Sequence, residues 1–147
     1  MEQESQPYRF KISLRLTHPV AELCHCTSEF GMEPLRQWKV GDARTTPRGN
    51  PLEGLRSNSY WTVPLAISEK EDLEAALARI AQWLGEHDSF MLIHADSGGS
   101  AALFIGFFLE SFNSGFLLEP SLLAKYSTLG VALDFDMYGP DDEPVAP

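Results

Sequence analysis

Hydrophobic and polar positions follow one another in a pattern that predicts strands and helices in regular succession. From Tyr8 to Leu16 every second side chain is apolar, which is typical of a strand with one buried face and one wet face. After Ser68-Glu69-Lys70-Glu71, which has the form of a capping box, apolar residues recur at helical spacing as far as Leu84. The same reasoning predicts strands at 8–16, 35–40, 60–67, 89–95, 101–110 and 131–138, and helices that end at Gly31, Gly85 and Gly130.

The order of these elements is strand, helix, strand, three times over. The apolar runs at 89–95 and 101–110 are separated by Asp-Ser-Gly-Gly-Ser, which is typical of a hairpin turn between central strands. The predicted fold class is therefore α+β, a single mixed or antiparallel six-stranded sheet with three helices on one face, built from repeated βαβ units of ferredoxin-like flavour. One domain is expected over residues 8–138, with flexible tails at 1–7 and 139–147. The similar first and last units indicate either an internal duplication or shared helix-ending chemistry.

Residues 41–59 are rich in Gly, Pro, Asn and Arg and are predicted to form one long loop, a kind of segment that is either functional or mobile. Arginines beside aromatic rings, as found in and around this loop, can bind a carboxylate, a phosphate or a protein surface. Gly41-Asp42 predicts a turn in which the Asp42 side chain bonds nearby backbone amides. The candidate residues for binding a partner or ligand are Arg36, Trp38, Lys39, Asp42, Arg44, Arg48, Arg56 and Trp61.

Charge is unevenly distributed along this chain of net charge −10. Residues 1–56 carry eight of the eleven Lys and Arg, whereas residues 57–147 carry fourteen of the twenty-one Asp and Glu. An acidic second half disfavours non-specific nucleic-acid binding, which needs Lys and Arg to neutralise phosphates, and disfavours docking on an anionic membrane. An acidic face can steer a basic partner or simply keep the domain soluble.

The residue patterns of several common metal, cofactor and catalytic sites are missing from the sequence. Cys24 and Cys26 would point to nearly opposite sides of a helix, so Cys24 is expected in the core and no zinc site is predicted. The chain has neither a Walker motif, a dinucleotide fingerprint nor a nucleophile elbow, so no cofactor is expected. The longest apolar run has nine residues, 101–109, against about 20 for a membrane helix. No leader peptide is recognisable, and the cytoplasm is the expected location.

Residues 30–44, FGMEPLRQWKVGDAR, resemble an uncharacterised bacterial family, the domain of unknown function DUF4279. In that family a helix ends in a Leu-Gly-like pair and is followed by Glu-Pro, an aromatic, a basic residue and Gly-Asp. Trp61 fits a tryptophan that follows the loop, and 136–138 fit a closing Asp-x-Tyr. The resemblance covers about 8–138 and implies the fold and the domain limits but no activity, and Cys24-His25-Cys26 and Phe30 depart from its pattern. The positions that match the first motif are Gly31, Glu33, Pro34, Trp38, Lys39, Gly41 and Asp42.

Two functions follow as hypotheses. The leading one is a non-catalytic binding module whose arginine-rich segment meets a protein or a small anionic ligand, with an immunity-like partner of a bacterial toxin as one form of it by analogy. The alternative is a hydrolytic enzyme with its site between 36–56 and the strand face of Asp134 and Asp136, where Arg44 and Arg48 hold an anion and Asp136 acts as base.

Two smaller constellations have a structural interpretation beside a chemical one. His94 and Asp96 share a predicted strand face and could form a general base pair, or His94 could be a hydrogen-bonded structural residue. Asp134 and Asp136 could hold a hard cation, or they could lie on the wet face of an amphipathic strand.

Overall fold

The computed structural model describes residues 7–140, so residues 1–6 and 141–147, with most of the two predicted tails, lie outside the described part of the chain. Within it the chain forms seven strands and four helices. In chain order they are β1 (Tyr8–His18), α1 (His25–Phe30), β2 (Arg36–Trp38), β3 (Ala43–Thr45), β4 (Pro51–Leu55), β5 (Ser59–Leu65), α2 (Leu73–Gly85), α3 (Asp88–Asp96), β6 (Ser100–Leu109), α4 (Pro120–Leu129) and β7 (Val131–Tyr138).

The main sheet has five strands in the order β2-β5-β1-β6-β7, with β1 at its centre. Strand β1 pairs antiparallel with β6 from Tyr8 to Thr17 and with β5 from Ile12 to His18, and its strict alternation gives it one apolar face that both neighbours share. Strand β7 pairs parallel with β6, and α4 makes the connection between them. This last unit is a βαβ unit, as the sequence predicts, and the sheet is mixed.

One hydrophobic core fills the space between the helices and one face of the sheet. Leu14 and Leu16 of β1, Trp61 of β5 and Leu103 of β6 have no exposed surface on that face. Helix α2 covers them with an apolar stripe that is buried at every predicted position: Leu73, Ala76, Leu77, Ile80, Ala81 and Leu84. The capping residue differs from the prediction, because Asp72 accepts a hydrogen bond from the Ala75 amide, 2.8 Å away, and Ser68 lies in the turn before the helix.

The prediction of six strands in one sheet and three helices is wrong in its details. Residues 89–95 form helix α3 and not a strand, so 96–100 connect a helix to β6 and are not a hairpin turn. Met91 and His94 are buried whereas Leu92 and Ile93 are exposed, a helical spacing that an apolar run of seven residues conceals. The helix lies on the core side, where it packs against β6.

The predicted helix over 19–30 is much shorter than expected. Helix α1 begins at His25, because the His18 ring accepts the backbone amides of Val20 and Ala21 at 3.1 and 2.8 Å and holds that segment in another conformation. As a result Cys26 is buried and Cys24 is exposed, so the expectation that Cys24 lies in the core is wrong. Gly31 ends the helix with φ 64°, as predicted.

Residues 41–59 are not an unstructured loop, because β3 and β4 form a small antiparallel hairpin within them. Gly49 closes its turn with an amide that donates to the Thr46 carbonyl, at a φ of 88° that favours glycine. The hairpin forms a two-stranded sheet of its own beside the edge strand β2. Among the four helices described, none is both long enough and apolar enough to cross a membrane.

Candidate functional site

The face of the main sheet that points away from the core is called the open face here. It carries the odd-numbered side chains of β1 from Arg9 to Thr17, whose even-numbered neighbours from Ile12 to His18 are buried on the core side. The helices described contribute their buried side chains to the core cluster on that other side. Cross-strand partners of these residues extend the open face: Arg36, Trp38, Tyr60, Thr62, Pro64, Ala102, Phe104, Phe108, Asp134, Asp136 and Tyr138.

A cavity of about 370 Å³ lies where the hairpin meets one end of the open face. Strand β1 contributes Thr17, β2 contributes Trp38 and β5 contributes Tyr60, which are cross-strand neighbours in one row of the sheet. The hairpin and the residues after it supply the opposite wall. The full lining is Thr17, Trp38, Arg44, Leu55, Arg56, Ser57, Asn58 and Tyr60.

Aromatic stacking fixes the floor of this cavity. The rings of Trp38 and Tyr60 stack with centroids 4.5 Å apart and an angle of 23° between their planes. The guanidinium carbon of Arg56 lies 3.7 Å from the centroid of the Trp38 ring, which is cation–π geometry. A planar guanidinium stacked in this way loses little further freedom when it binds a ligand.

Backbone hydrogen bonds hold both cavity arginines in place. Arg56 donates from Nη2 to the Thr45 carbonyl at 2.7 Å, and Arg44 donates from Nη1 to the Glu53 carbonyl at 3.1 Å. The backbone of Arg56 is also paired, because its carbonyl accepts the Gly41 amide and its amide donates to the Asp42 carbonyl. The Nε of Arg56 is buried and has no hydrogen-bond partner among the described residues. Since a guanidinium has five N–H donors, both groups retain donors for a carboxylate or phosphate.

Three of the predicted residues, Trp38, Arg44 and Arg56, come together in the cavity. Arg36 lies on the open face one row away, where it pairs with Thr62, and it does not line the cavity. Asp42 has the predicted turn role, because its carboxylate accepts the Lys39 amide at 2.9 Å.

The other predicted residues lie elsewhere. Lys39 follows β2 and forms an exposed ion pair of 3.5 Å with Glu22. Arg48 is exposed in the turn of the hairpin, outside the cavity. Trp61 is fully buried and donates from Nε1 to the Thr27 hydroxyl at 3.1 Å, so its side chain faces the core and not the cavity.

Sequence reasoning missed Thr17 and Tyr60. Tyr60 lies in the predicted strand 60–67, where strict alternation places it on the face opposite to Trp61, whereas Thr17 follows the predicted strand 8–16 and was assigned to the start of a helix. What the sequence lacks is the register that sets Tyr60 between Thr17 and Trp38. The segment 57–58 was predicted as loop, and nothing in its composition indicates that Ser57 and Asn58 would turn toward the cavity.

The residues of the hydrolytic alternative are not brought together. Asp134 and Asp136 lie on β7 and Trp38 lies on β2, which are the two opposite edges of the sheet. Four strand spacings separate these edges, which is about 19 Å at about 4.8 Å per spacing. Asp136 instead accepts a hydrogen bond of 2.5 Å from the Tyr138 hydroxyl, and this bond raises the pKa of Tyr138 above its usual value.

The predicted pair of His94 and Asp96 is also absent, because both residues belong to α3 and not to a strand. His94 is buried and its Nε2 lies 3.0 Å from the Ser100 carbonyl, whereas Asp96 is exposed. Burial lowers the pKa of His94, and the neighbouring rings of His18 and His25 lower it further. These three histidines border a smaller cavity of about 160 Å³ on the core side. Residues 7–140 contain no cluster of three His, Cys, Asp or Glu that could hold a metal ion.

Comparison with known proteins gives one match. The family model for a domain of unknown function, DUF4279, matches residues 8–140, which confirms the resemblance drawn from the motif at 30–44. No curated protein and no solved structure matches the chain.

Proposed function

This chain belongs to the DUF4279 family, whose name assigns no activity, and we propose that it is a non-catalytic binding module that holds an anionic group in the cavity beneath the hairpin. The observation that carries the proposal is the presence of Arg44 and Arg56 in one cavity with the stacked pair of Trp38 and Tyr60. Two guanidinium groups beside aromatic rings match the chemistry of a carboxylate or a phosphate. The anion is the group of a small ligand or of a partner protein.

The composition of the cavity supports anion binding. Its lining has two arginines and no acidic side chain, in a chain whose net charge is −10. Glu53 of the neighbouring strand in the hairpin contributes its backbone carbonyl to the hydrogen bond with Arg44.

The same composition favours binding over hydrolysis. The lining has no His, Asp or Glu to act as a general base, so the hydroxyls of Ser57 and Thr17 have no such group in the lining to activate them as nucleophiles. The carboxylates that the hydrolytic alternative requires lie at the other edge of the sheet. Asparagine, serine and threonine in the lining are suited to hydrogen-bond a bound group.

The test compares wild type with an Arg44→Gln/Arg56→Gln variant by calorimetric titration with inorganic phosphate and with N-acetylglutamate. We expect the dissociation constant for the better of the two anions to rise at least about tenfold in the variant, since two charged donors are lost. Arg48→Gln is the matched control, because Arg48 lies on the same hairpin outside the cavity. Equal affinities of the double variant and the control for both anions would contradict the proposal.

A more specific version of this proposal is that the protein neutralises a bacterial toxin by binding an acidic group on the toxin. The cavity adjoins the open face, because Thr17 and Tyr60 belong to both, and this supports a macromolecular source of the anion. Co-expression with a toxin gene adjacent in the genome tests this form. Growth rescue by wild type and its loss with Arg44→Gln/Arg56→Gln are expected, whereas rescue that persists in the variant would contradict it.

A further inference from the structure

A second arginine on the open face is arranged like Arg56. The guanidinium carbon of Arg15 lies 3.7 Å from the centroid of the Phe104 ring, which is the distance between Arg56 and Trp38. The Nε of Arg15, like that of Arg56, is buried without a hydrogen-bond partner among residues 7–140. The open face thus presents two guanidinium groups, each lying on an aromatic ring and each with an unused buried donor.

The register of the sheet gives the separation of these two groups. Trp38 and Phe104 are three strands apart, and their rows cross β1 at Thr17 and Ser13, four residues from one another. At about 4.8 Å per strand and about 3.4 Å per residue, the two rings lie about 20 Å apart on a diagonal of the face. An extended polypeptide covers that distance in about six residues. One small anion cannot reach both groups.

Charge over this part of the molecule is opposite to that of the whole. Six of the eleven Lys and Arg of the chain belong to the open face or the adjoining cavity. Arg9 is paired with Glu110, whereas Arg15 and Arg36 face each other across Thr62 without an acidic partner in the described part of the chain. The carboxylates of Asp134 and Asp136 belong to the edge strand β7, where Asp134 is the register neighbour of Phe104. An acidic ligand is therefore attracted to the part of the face between β2 and β1, which carries Arg36 and Arg15.

We propose that the open face binds an extended acidic segment of a partner protein, with one carboxylate in the cavity at Arg44 and Arg56 and a second, about six residues away, at Arg15. This inference rests on the proposed function, to which it adds the class of partner. Nucleic acid is disfavoured as the occupant, because the guanidinium groups already lie on the Trp38 and Phe104 rings that would otherwise stack bases.

Two peptides of equal composition test the spacing. Acetyl-Glu-Ser-Ser-Ser-Ser-Ser-Glu-amide places its carboxylates six residues apart on one side of an extended chain, and acetyl-Ser-Ser-Glu-Ser-Ser-Glu-Ser-amide places them three apart on opposite sides. Amide chemical-shift titrations of wild type are expected to give the first peptide an affinity at least about fivefold higher, because its second carboxylate binds intramolecularly. Its shifts are expected in β1 and β6 as well as around the cavity.

Variants assign the second anchor. Arg15→Gln and, as a second variant that keeps the charge, Phe104→Leu are expected to remove the preference for the first peptide and to leave N-acetylglutamate binding unchanged. Lys125→Gln on α4, outside the open face, is the control for loss of one positive charge.

Equal affinity of wild type for both peptides with shifts confined to the cavity overturns this inference while leaving the proposed function intact. The absence of shifts with both N-acetylglutamate and inorganic phosphate overturns both proposals. Tighter binding of hexathymidylate than of the first peptide replaces the protein partner by nucleic acid.

Discussion

Two histidines meet at the end of the sheet, and both are held in defined tautomers. The Nδ1 of His18 accepts the amides of Val20 and Ala21, so the ring hydrogen is on Nε2, which lies 3.1 Å from the Ser97 carbonyl. His94 packs edge-on against His18 with ring centroids 5.9 Å apart. A positive charge on the His94 ring would be buried beside the His18 ring. The neutral form of His94 is therefore favoured in the folded state.

This arrangement predicts a loss of stability in acid. Burial holds the pKa of His94 below its ordinary value of about 6.5, so the unfolded chain binds the proton more readily than the folded protein. The contribution of His94 is fully present above pH 6.5 and is lost as the pH falls from there toward the lower folded-state pKa. Urea midpoints measured from pH 8 to pH 5 are expected to fall less steeply for His94→Gln than for wild type. Identical slopes would contradict a depressed pKa of His94.

Trp38 and Trp61 show how far residue type alone predicts a site. Both flank the arginine-rich segment in sequence, and both are aromatic residues in strands that pair with each other. Alternation decides their roles, because Trp38 pairs with Tyr60 on the open face whereas Trp61 is directed into the core. Arg44 and Arg56 could be chosen from the sequence because charge and aromatic neighbours coincide there. Thr17 could not, because it enters the cavity only through the pairing of β1 with β5.

At the scale of elements, the strands with strict alternation and the helix with a full apolar stripe were predictable. The apolar run at 89–95 was not, because a short buried helix and a buried strand have the same composition when few polar residues mark a face. In α3 the marker is His94, a polar residue that is buried and therefore conceals the helical period. The hairpin of β3 and β4 was not predicted for a different reason. Most of its side chains are exposed, so its sequence has no alternation of apolar and polar residues.

The start of helix α2 gives a prediction at this scale. The Asp72 carboxylate accepts the Ala75 amide at 2.8 Å, which satisfies one of the unpaired donors of the first turn. Asp72→Ala is expected to lower the free energy of unfolding by about 1 kcal/mol in urea titrations. Glu69→Ala, in the exposed turn before the helix, is the control and is expected to change it by less than about 0.5 kcal/mol. If Glu69→Ala were as costly as Asp72→Ala, Asp72 would not be the cap.

At the scale of the whole molecule, charge is separated between the two sides of the sheet. The net charge therefore describes the long-range repulsion between the protein and anions. It does not describe the local positive charge that an anion encounters at the open face. Arg15, Arg36 and the two cavity arginines lie on the open face or in the adjoining cavity, while α3 on the other side of the sheet has Asp88 and Asp96 exposed. The sequence alone gives the charge of each half of the chain. The register of β1, β2 and β5 is needed to place the arginines on one face of the sheet.

This separation has a chromatographic consequence. On a sulfonate cation exchanger at pH 7 and low ionic strength, we expect the protein to be retarded despite its net charge of −10. Arg15→Gln/Arg36→Gln is expected to elute earlier than Lys70→Gln/Lys125→Gln, which changes the net charge equally but removes lysines outside the open face. Equal elution of the two double variants would contradict the separation of charge.

The central position of β1 also determines when the domain can form. The first strand of the chain is completed on one side by β5 and on the other by β6, where Tyr8 faces Leu109. During synthesis most of the chain must leave the ribosome before β6 is available. Until then β1 has one unpaired edge and an exposed apolar face. Closure over such a long separation is slow compared with local helix formation. The newly made protein thus depends on a late step for its protection from aggregation, and a chain interrupted before β6 would leave one edge of β1 without a partner.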